Sequence, residues 1–204
     1  LSRTNTYTGA TTVNAGVLNV QNDQGTGTTA GGVTVASGAA LELQGGITVG
    51  AEALNISGAG PSGSAALDNI SGNNTWGGTI TLGAAASIRN QSDTFTINNA
   101  SAIVTAGNQL SLGGSSASGI ISGVISGSGS VIKVAVGAWT LSGTNTFTGG
   151  VDLRAGTLNI NNAQALGTSA GTFTVGGAGN AVIIDNTSGS PISTVNYPMA
   201  LNDN

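Results

Sequence analysis

A short phrase recurs three times in this chain, and this internal repetition constrains the fold more than any other sequence feature. The copies are Asn5-Thr6-Tyr7-Thr8-Gly9, Asn74-Thr75-Trp76-Gly77-Gly78 and Asn145-Thr146-Phe147-Thr148-Gly149. Their aromatic residues recur at nearly equal intervals, with a period of about 70 residues. Residues 1–35 and 141–175 align without a gap and are identical at 19 of 35 positions. Repetition of this kind is typical of stacked architectures in which each unit contacts only its neighbours.

Between the copies, the apolar residues follow the periodicity of β-strands. Many segments consist of two apolar residues separated by one polar residue, as in Val33-Thr34-Val35, Leu54-Asn55-Ile56 and Leu158-Asn159-Ile160. This alternation places the apolar pair on one face of a strand and the polar residue on the other. Clusters of Gly, Asn and Ser separate the segments, and these residues favour tight bends. The pattern predicts an all-β chain without amphipathic helices.

The spacing of these strands predicts a three-sided parallel β-helix. The stretch from Val33 to Leu54 contains three strand-and-turn units, which is enough for one coil. We expect coils of about 21–25 residues, at least seven of them, so that three coils give the period of about 70. Residues 1–204 are predicted to form one continuous segment with repeat units at approximately 1–70, 71–140 and 141–204. Leu158 and Ile160 should point into the core, as should Leu18 and Val20.

The recurring phrase itself is predicted to have a structural role. Tyr7, Trp76 and Phe147 adjoin turn glycines and could cap the core on equivalent edges of the solenoid. A row of rings that stack on a sugar ligand is the alternative, but a separation of three coils, about 14 Å, is too sparse for a continuous platform. We therefore predict structural roles for the repeat positions Asn5, Thr6, Tyr7, Gly9, Asn74, Thr75, Trp76, Gly78, Asn145, Thr146, Phe147 and Gly149.

Charge and hydropathy argue against nucleic-acid binding, attachment to a membrane surface and membrane insertion. The chain has 12 charged residues and a net charge of −4, and its four cations are scattered along the sequence. Nucleic-acid binding requires a basic stripe, and attachment to an anionic membrane surface requires a polybasic patch. No apolar run approaches the ~20 residues that span a bilayer. We expect neither a nucleic-acid partner nor membrane insertion by this segment.

The inventory of reactive side chains argues against catalysis. The chain has no His to act as a general base and no Cys to supply a thiolate. Stacking of coils could bring Asp68 and Asp93 together with Arg89 nearby, which we interpret as a solvated pair at turns. We predict no catalytic residue, no cofactor and no metal site. A polysaccharide-active β-helix enzyme, which would need clustered carboxylates of this kind, is the second alternative.

One composite segment resembles a known family. Residues 127–133 (GSGSVIK), 137–150 (GAWTLSGTNTFTGG) and 155–158 (AGTL) together resemble the passenger-associated transport repeat, also called the autotransporter-associated β-strand repeat. The first copy is the same element without its leading half. Ala135 departs from the pattern, which usually has Gly there. The resemblance implies a right-handed parallel β-helix in a secreted or surface-displayed bacterial protein, and it brings no catalytic residue.

These observations predict a non-enzymatic extracellular structural segment, such as a stalk, spacer or filament unit of an autotransporter-like protein. An adhesin module that binds glycans or host surfaces is the main alternative. Leu1 begins inside a repeat phrase, so we expect the coils to continue in a longer polypeptide or to stack end to end with another subunit. The expected location is extracellular or at the bacterial cell surface.

Overall fold

The chain folds as a parallel β-solenoid in a computed structural model that describes residues 1–62, 64–115, 117–177 and 180–202. All strand pairings among these residues are parallel. The described residues include no helix, and therefore none that is long and apolar enough to cross a membrane. The predicted all-β parallel β-helix is confirmed.

The strands stack on three faces, which we call A, B and C. Face A comprises β1 (Thr11–Val13), β3 (Val33–Val35), β6 (Leu54–Gly58), the first part of β9 (Ile80–Asn90), β11 (Ile103–Val104) and β14 (Ile125–Ser126).

Face B is the longest. It comprises β2 (Gly16–Val20), β4 (Ala39–Gln44), β7 (Leu67–Ser71), the second part of β9, β12 (Leu110–Gly114), β15 (Val131–Lys133), β17 (Val151–Leu153), β19 (Phe173–Val175) and β21 (Met199–Leu201). Strand β9 crosses the corner between faces A and B, so the two faces form one continuous hydrogen-bonded sheet.

Face C is a separate sheet of seven strands. It comprises β5 (Thr48–Val49), β8 (Asn74–Trp76), β10 (Thr94–Ile97), β13 (Ser118–Ile121), β16 (Ala138–Leu141), β18 (Gly156–Ile160) and β20 (Val182–Asp185).

The solenoid has about eight turns, because eight successive pairings connect β2 to β21 along face B. Each turn is one coil of the sequence analysis, so this agrees with the prediction of at least seven coils. Turn length varies more than predicted. The turn that leads from Val49 to its partner Trp76 contains clearly more chain than the turn that leads from Leu141 to its partner Ile160. The strands stay in register because loops at the corners absorb the difference.

Stacked aliphatic side chains fill the interior. Val35, Ile56 and Leu82 occupy one inward-facing column on face A and are almost completely buried. The predicted inward residues are also placed correctly: Val20 and Leu158 are fully buried, and Leu18 and Ile160 are partly buried against the core. The period-two pattern therefore identified the core-facing side of the strands.

The sequence repeat does not correspond to a whole number of turns. In the first copy, β1 pairs with β3 on face A, whereas the equivalent strands of the third copy, β17 and β19, pair on face B. The stretch of chain between the first and third copies thus spans six turns and one further face. The prediction that the three turn aromatics share equivalent edges is wrong. Three in-register steps lead from Trp76 to Leu141 on face C, while Phe147 lies one corner further along, adjoining face A.

Candidate functional site

The asparagine of the repeat phrase links successive turns of the solenoid. Asn145 is buried, and its Oδ1 accepts a hydrogen bond from the backbone N–H of Ile125 at 2.8 Å, one turn earlier. Its Nδ2 donates to the carbonyl of Ala165 at 2.7 Å, one turn later. An asparagine can do both because its amide carries an acceptor and two donors. This single side chain therefore joins three turns.

The other two copies each retain part of this arrangement. Asn5 Nδ2 donates to the Gly25 carbonyl at 2.7 Å, the same forward contact that Asn145 makes. Asn74 Oδ1 accepts from the Ile47 N–H at 2.7 Å, the same backward contact. Its Nδ2 instead donates to the Ser71 carbonyl at 2.9 Å and to the side chain of Asn69. All three asparagines thus hold backbone groups at a corner.

The aromatic residues of the phrase contribute to packing and do not form a ligand platform. Trp76 and Phe147 are fully buried, and only Tyr7 is exposed, at 41%. The rings of Tyr7 and Phe147 lie on glycines of the following turn: a Cβ on Gly27 or Gly167 would come within 2.7 or 2.9 Å of ring carbons. Each ring therefore requires a glycine beneath it.

The glycines that end the phrase permit close contact with the preceding turn. A Cβ on Gly78 would lie 1.7 Å from the Glu52 carbonyl oxygen, and one on Gly149 would lie 2.5 Å from the Gly129 carbonyl carbon. A Cβ on Gly9 would have no neighbour within 4 Å, because Gly9 lies on the first turn of this chain. The intervening threonines differ in exposure: Thr6 and Thr146 are exposed, and Thr75 is half-buried.

The predicted solvated pair of Asp68 and Asp93 is not what the structure contains. Asp68 is completely buried on β7, in register with Arg89 on β9, whose Nε donates to both carboxylate oxygens at 3.0 and 3.2 Å. Gln91 Nε2 also donates to it at 2.9 Å. Asp93 instead accepts from the Gly72 N–H at 2.7 Å. Asp68 faces a cation in the neighbouring strand, so it forms an internal ion pair and not an acid–base dyad.

Sequence reasoning missed the buried Lys133. It lies in the inward register position between Leu112 and Leu153 and has no exposed surface. Its Nζ donates to the carbonyls of Val134, Ala135 and Ala155 at 2.8, 2.7 and 2.9 Å. Burial lowers the pKa of Lys133 to about 8. These hydrogen bonds fix the local bend after β15. Ala135, which departs from the family pattern, adopts a φ of 59° in this bend.

Glu52 is a second buried ionisable group that the sequence did not indicate. It is 2% exposed, and burial raises the pKa of its carboxyl, while the hydrogen bond from Thr26 to Oε2 and the nearby Gly32 backbone oppose this shift. Across the described ranges, no group of three or more His, Cys, Asp and Glu side chains converges as a metal centre. The repeat residues described above make contacts between successive turns of the solenoid.

Two comparisons with known proteins found similar sequences. The family model for the passenger-associated-transport-repeat matches residues 1–20 and 136–160. Over 51 residues, a quarter of the chain, the sequence is 47% identical to a protein named "Adhesin BmaC autotransporter" from Brucella suis biovar 1 (strain 1330). The match spans only 2% of the length of that protein. No solved structure matches.

Proposed function

Because this chain carries the passenger-associated transport repeat on a parallel β-helix, we propose that it is an extracellular, non-enzymatic structural segment of a bacterial surface-displayed or secreted passenger. The observation that carries this proposal is the use of the repeat residues for contacts between turns. Asn145 bridges three turns, and Phe147 and Gly149 pack against neighbouring backbone. About eight turns at ~4.8 Å give a rod roughly 38 Å long.

The absence of an enzymatic role is part of the proposal. The sequence has no His and no Cys. Asp68, one of the two carboxylates that an enzyme would have to use, is completely buried and is engaged by Arg89 and by Gln91. A general acid or base must come within hydrogen-bond reach of a substrate, which this burial prevents. If the chain degraded an acidic polysaccharide, and Asp68→Asn or Asp93→Asn abolished that activity, the proposed absence of an enzymatic role would be contradicted.

A display experiment tests the structural role. The chain would replace a β-helical stretch of an autotransporter passenger, and protease accessibility on intact cells would report whether it reaches the surface folded. We expect a surface-exposed, protease-resistant passenger. The matched control carries Leu112→Asp and Leu141→Asp, which place charges in the core and should produce a degraded passenger. Retention of the unmodified chain inside the cell would overturn the proposal.

An adhesin role is the second candidate, and the name of the similar Brucella protein favours it. A shallow polar cavity of about 220 Å³ on the outside of face B includes Gln109, Ser130, Asp152 and Arg154 among its lining residues, a surface that could hydrogen-bond a glycan. Saturable, competable binding of this chain on a glycan array, reduced in Asp152→Ala, would favour the adhesin. Absence of binding in the presence of surface display would favour the purely structural segment.

A further inference from the structure

A polar cavity lies between the first turns of the solenoid, at the corner where the Tyr7 ring packs on Gly27. It has a volume of about 320 Å³ and is lined by Asp23, Gln24, Gly27, Thr28, Thr29, Thr48, Gly50 and Glu52. Two carboxylates and three threonines thus surround one space. Over the part of the chain that the structure describes, neither carboxylate forms a salt bridge. The cavity therefore concentrates negative charge and oxygen atoms.

Two oxygen atoms at this cavity are buried without a partner. The Glu52 side chain is 2% exposed; its Oε2 accepts a hydrogen bond from Thr26 Oγ1 at 3.3 Å, but its Oε1 has none. Thr28 Oγ1 is also buried and has no hydrogen-bond partner. Buried polar atoms are nearly always satisfied in folded proteins. The unsatisfied carboxylate oxygen of Glu52 points to a ligand that supplies positive charge, and the hydroxyl oxygen of Thr28 can accept from the same ligand.

Asp23 is held at the same cavity by a contact between turns. Its Oδ1 accepts a hydrogen bond from the Thr48 N–H at 2.7 Å, on the following turn. This contact fixes the carboxylate on the wall of the cavity, where it adds a second negative charge to that of Glu52. A buried carboxylate without an opposite charge is unfavourable, which is why burial raises the pKa of Glu52.

The third copy of the repeat shows that two polar residues at or next to this cavity, Asp23 and Thr26, are not required by the fold. Asp23 corresponds to Ala163, and Thr26 corresponds to Leu166. Thr26 and Leu166 are equally buried, at 1% and 4% exposure, so the same interior place accepts a polar or an apolar side chain. Asp23 and Thr26 are thus specific to the first copy, whereas Gln24 and Thr28 recur in the third copy as Gln164 and Thr168.

We propose that this cavity binds a hard divalent cation of the calcium type, with Glu52, Asp23 and Thr28 as ligands. Carboxylate, hydroxyl and carbonyl oxygens are the donors that such cations prefer. A site with two carboxylates and otherwise neutral oxygens should have the modest affinity of extracellular modules, with a Kd on the order of 10⁻⁴ to 10⁻³ M. The cation would join the first turns, because Asp23 and Glu52 come from different turns.

Calorimetric titration of the chain with calcium chloride tests the proposal, with magnesium chloride and potassium chloride at matched ionic strength as comparisons. We expect one saturable calcium site and a higher midpoint of thermal unfolding in calcium. Glu52→Gln and Asp23→Asn should each weaken the affinity by about tenfold or more, since the charge count of the ligands sets affinity. Glu42→Gln, which removes a carboxylate on face B outside the cavity, should leave it unchanged.

A second variant keeps the test valid if Glu52→Gln does not fold. The combined change Asp23→Ala with Thr26→Leu reproduces a pair that the third copy already accommodates, and we expect a folded chain that no longer binds calcium. Binding that survives in this variant would overturn the proposal. So would the absence of saturable binding in the unmodified chain up to about 10 mM calcium, a concentration well above the range of extracellular sites.

Discussion

Asn145 shows how one side chain can stabilise several turns of a solenoid at once. Replacing it with alanine leaves the Ile125 N–H and the Ala165 carbonyl buried without partners. Each unsatisfied group costs about 1–3 kcal/mol, so we expect Asn145→Ala to lower the free energy of unfolding by about 2–6 kcal/mol. Denaturant titration followed by circular dichroism measures this loss.

The control for this prediction is Asn186→Ala. Asn186 is exposed, and its hydrogen bonds are to nearby residues in the same loop, including the Ser190 carbonyl at 2.7 Å. We expect a change within about 0.5 kcal/mol, as for most surface substitutions. Equal effects of the two changes would show that Asn145 contributes no more than a surface residue.

The lowered pKa of Lys133 predicts that the stability of the chain depends on pH. Its pKa is lowered from 10.5 to about 8 in the folded chain by burial, so between these values the unfolded chain binds more protons than the folded chain. The contribution of Lys133 to the free energy of unfolding should therefore rise as the pH increases from about 8 to 10.5. Below that range it should stay constant.

Denaturant titrations across that pH range, compared with Lys133→Met, measure the contribution of Lys133. In Lys133→Met, the free energy of unfolding should not show this rise with pH. Burial also raises the pKa of Tyr197 above its ordinary value of 10.0, so this group too makes stability depend on pH, and both chains should carry Tyr197→Phe. A rise of equal size in Lys133→Met would assign the pH dependence to another group.

At the scale of strands, three neighbouring elements of face C depend on one glycine. Phe95 on β10, Gly119 on β13 and Trp139 on β16 are register partners in one column. The two rings meet edge to face across the glycine, with centroids 6.5 Å apart. A Cβ on Gly119 would lie 2.4 Å from the Trp139 ring. The glycine therefore provides the space in which rings from two different turns meet.

We expect Gly119→Val to disrupt this column despite the higher strand propensity of valine. The added methyl groups cannot fit without moving Trp139, whose Nε1 donates to the Gly113 carbonyl at 2.9 Å, and overpacking of this kind costs about 1–3 kcal/mol. Tryptophan fluorescence and thermal unfolding measure the effect. Ile120→Val, at the neighbouring half-buried position, is the control and should change stability by less than about 1 kcal/mol.

The sequence predicted local strand geometry better than the order of the faces. Segments such as Val33-Thr34-Val35 show their inward side through alternation alone, and this was confirmed. The face on which Phe147 lies was predicted wrongly because the turns differ in length and these differences add up along the chain. Lys133 and Glu52 were missed because burial of a charge depends on distant backbone and side-chain partners, which alternation does not reveal.

At the scale of the whole molecule, the terminal turns of the 204-residue chain present open strand edges. Strand β21 pairs with β19 alone, and β1 pairs with β3 alone, among the described strands. Met199 and Leu201 on β21 are 64% and 76% exposed. Unpaired edges favour further strand addition, and the net charge of −4 provides little repulsion. Addition of one chain to the end of another would be heterologous and non-closing, which produces filaments and not closed rings.

We therefore expect the isolated chain to associate end to end as its concentration rises, and Met199→Lys with Leu201→Lys to suppress this association. Lysines on an edge strand oppose pairing because each added chain would have to desolvate their charges. The control, Val136→Lys with Ala84→Lys, adds the same two charges at exposed positions on the sides of the solenoid, so the net charge of the two variants is identical. Sedimentation velocity and electron microscopy across a concentration series should show elongated assemblies for the unmodified chain and the control, and monomers for the edge variant. Monomers at every concentration for all three chains would show that the terminal edges do not pair.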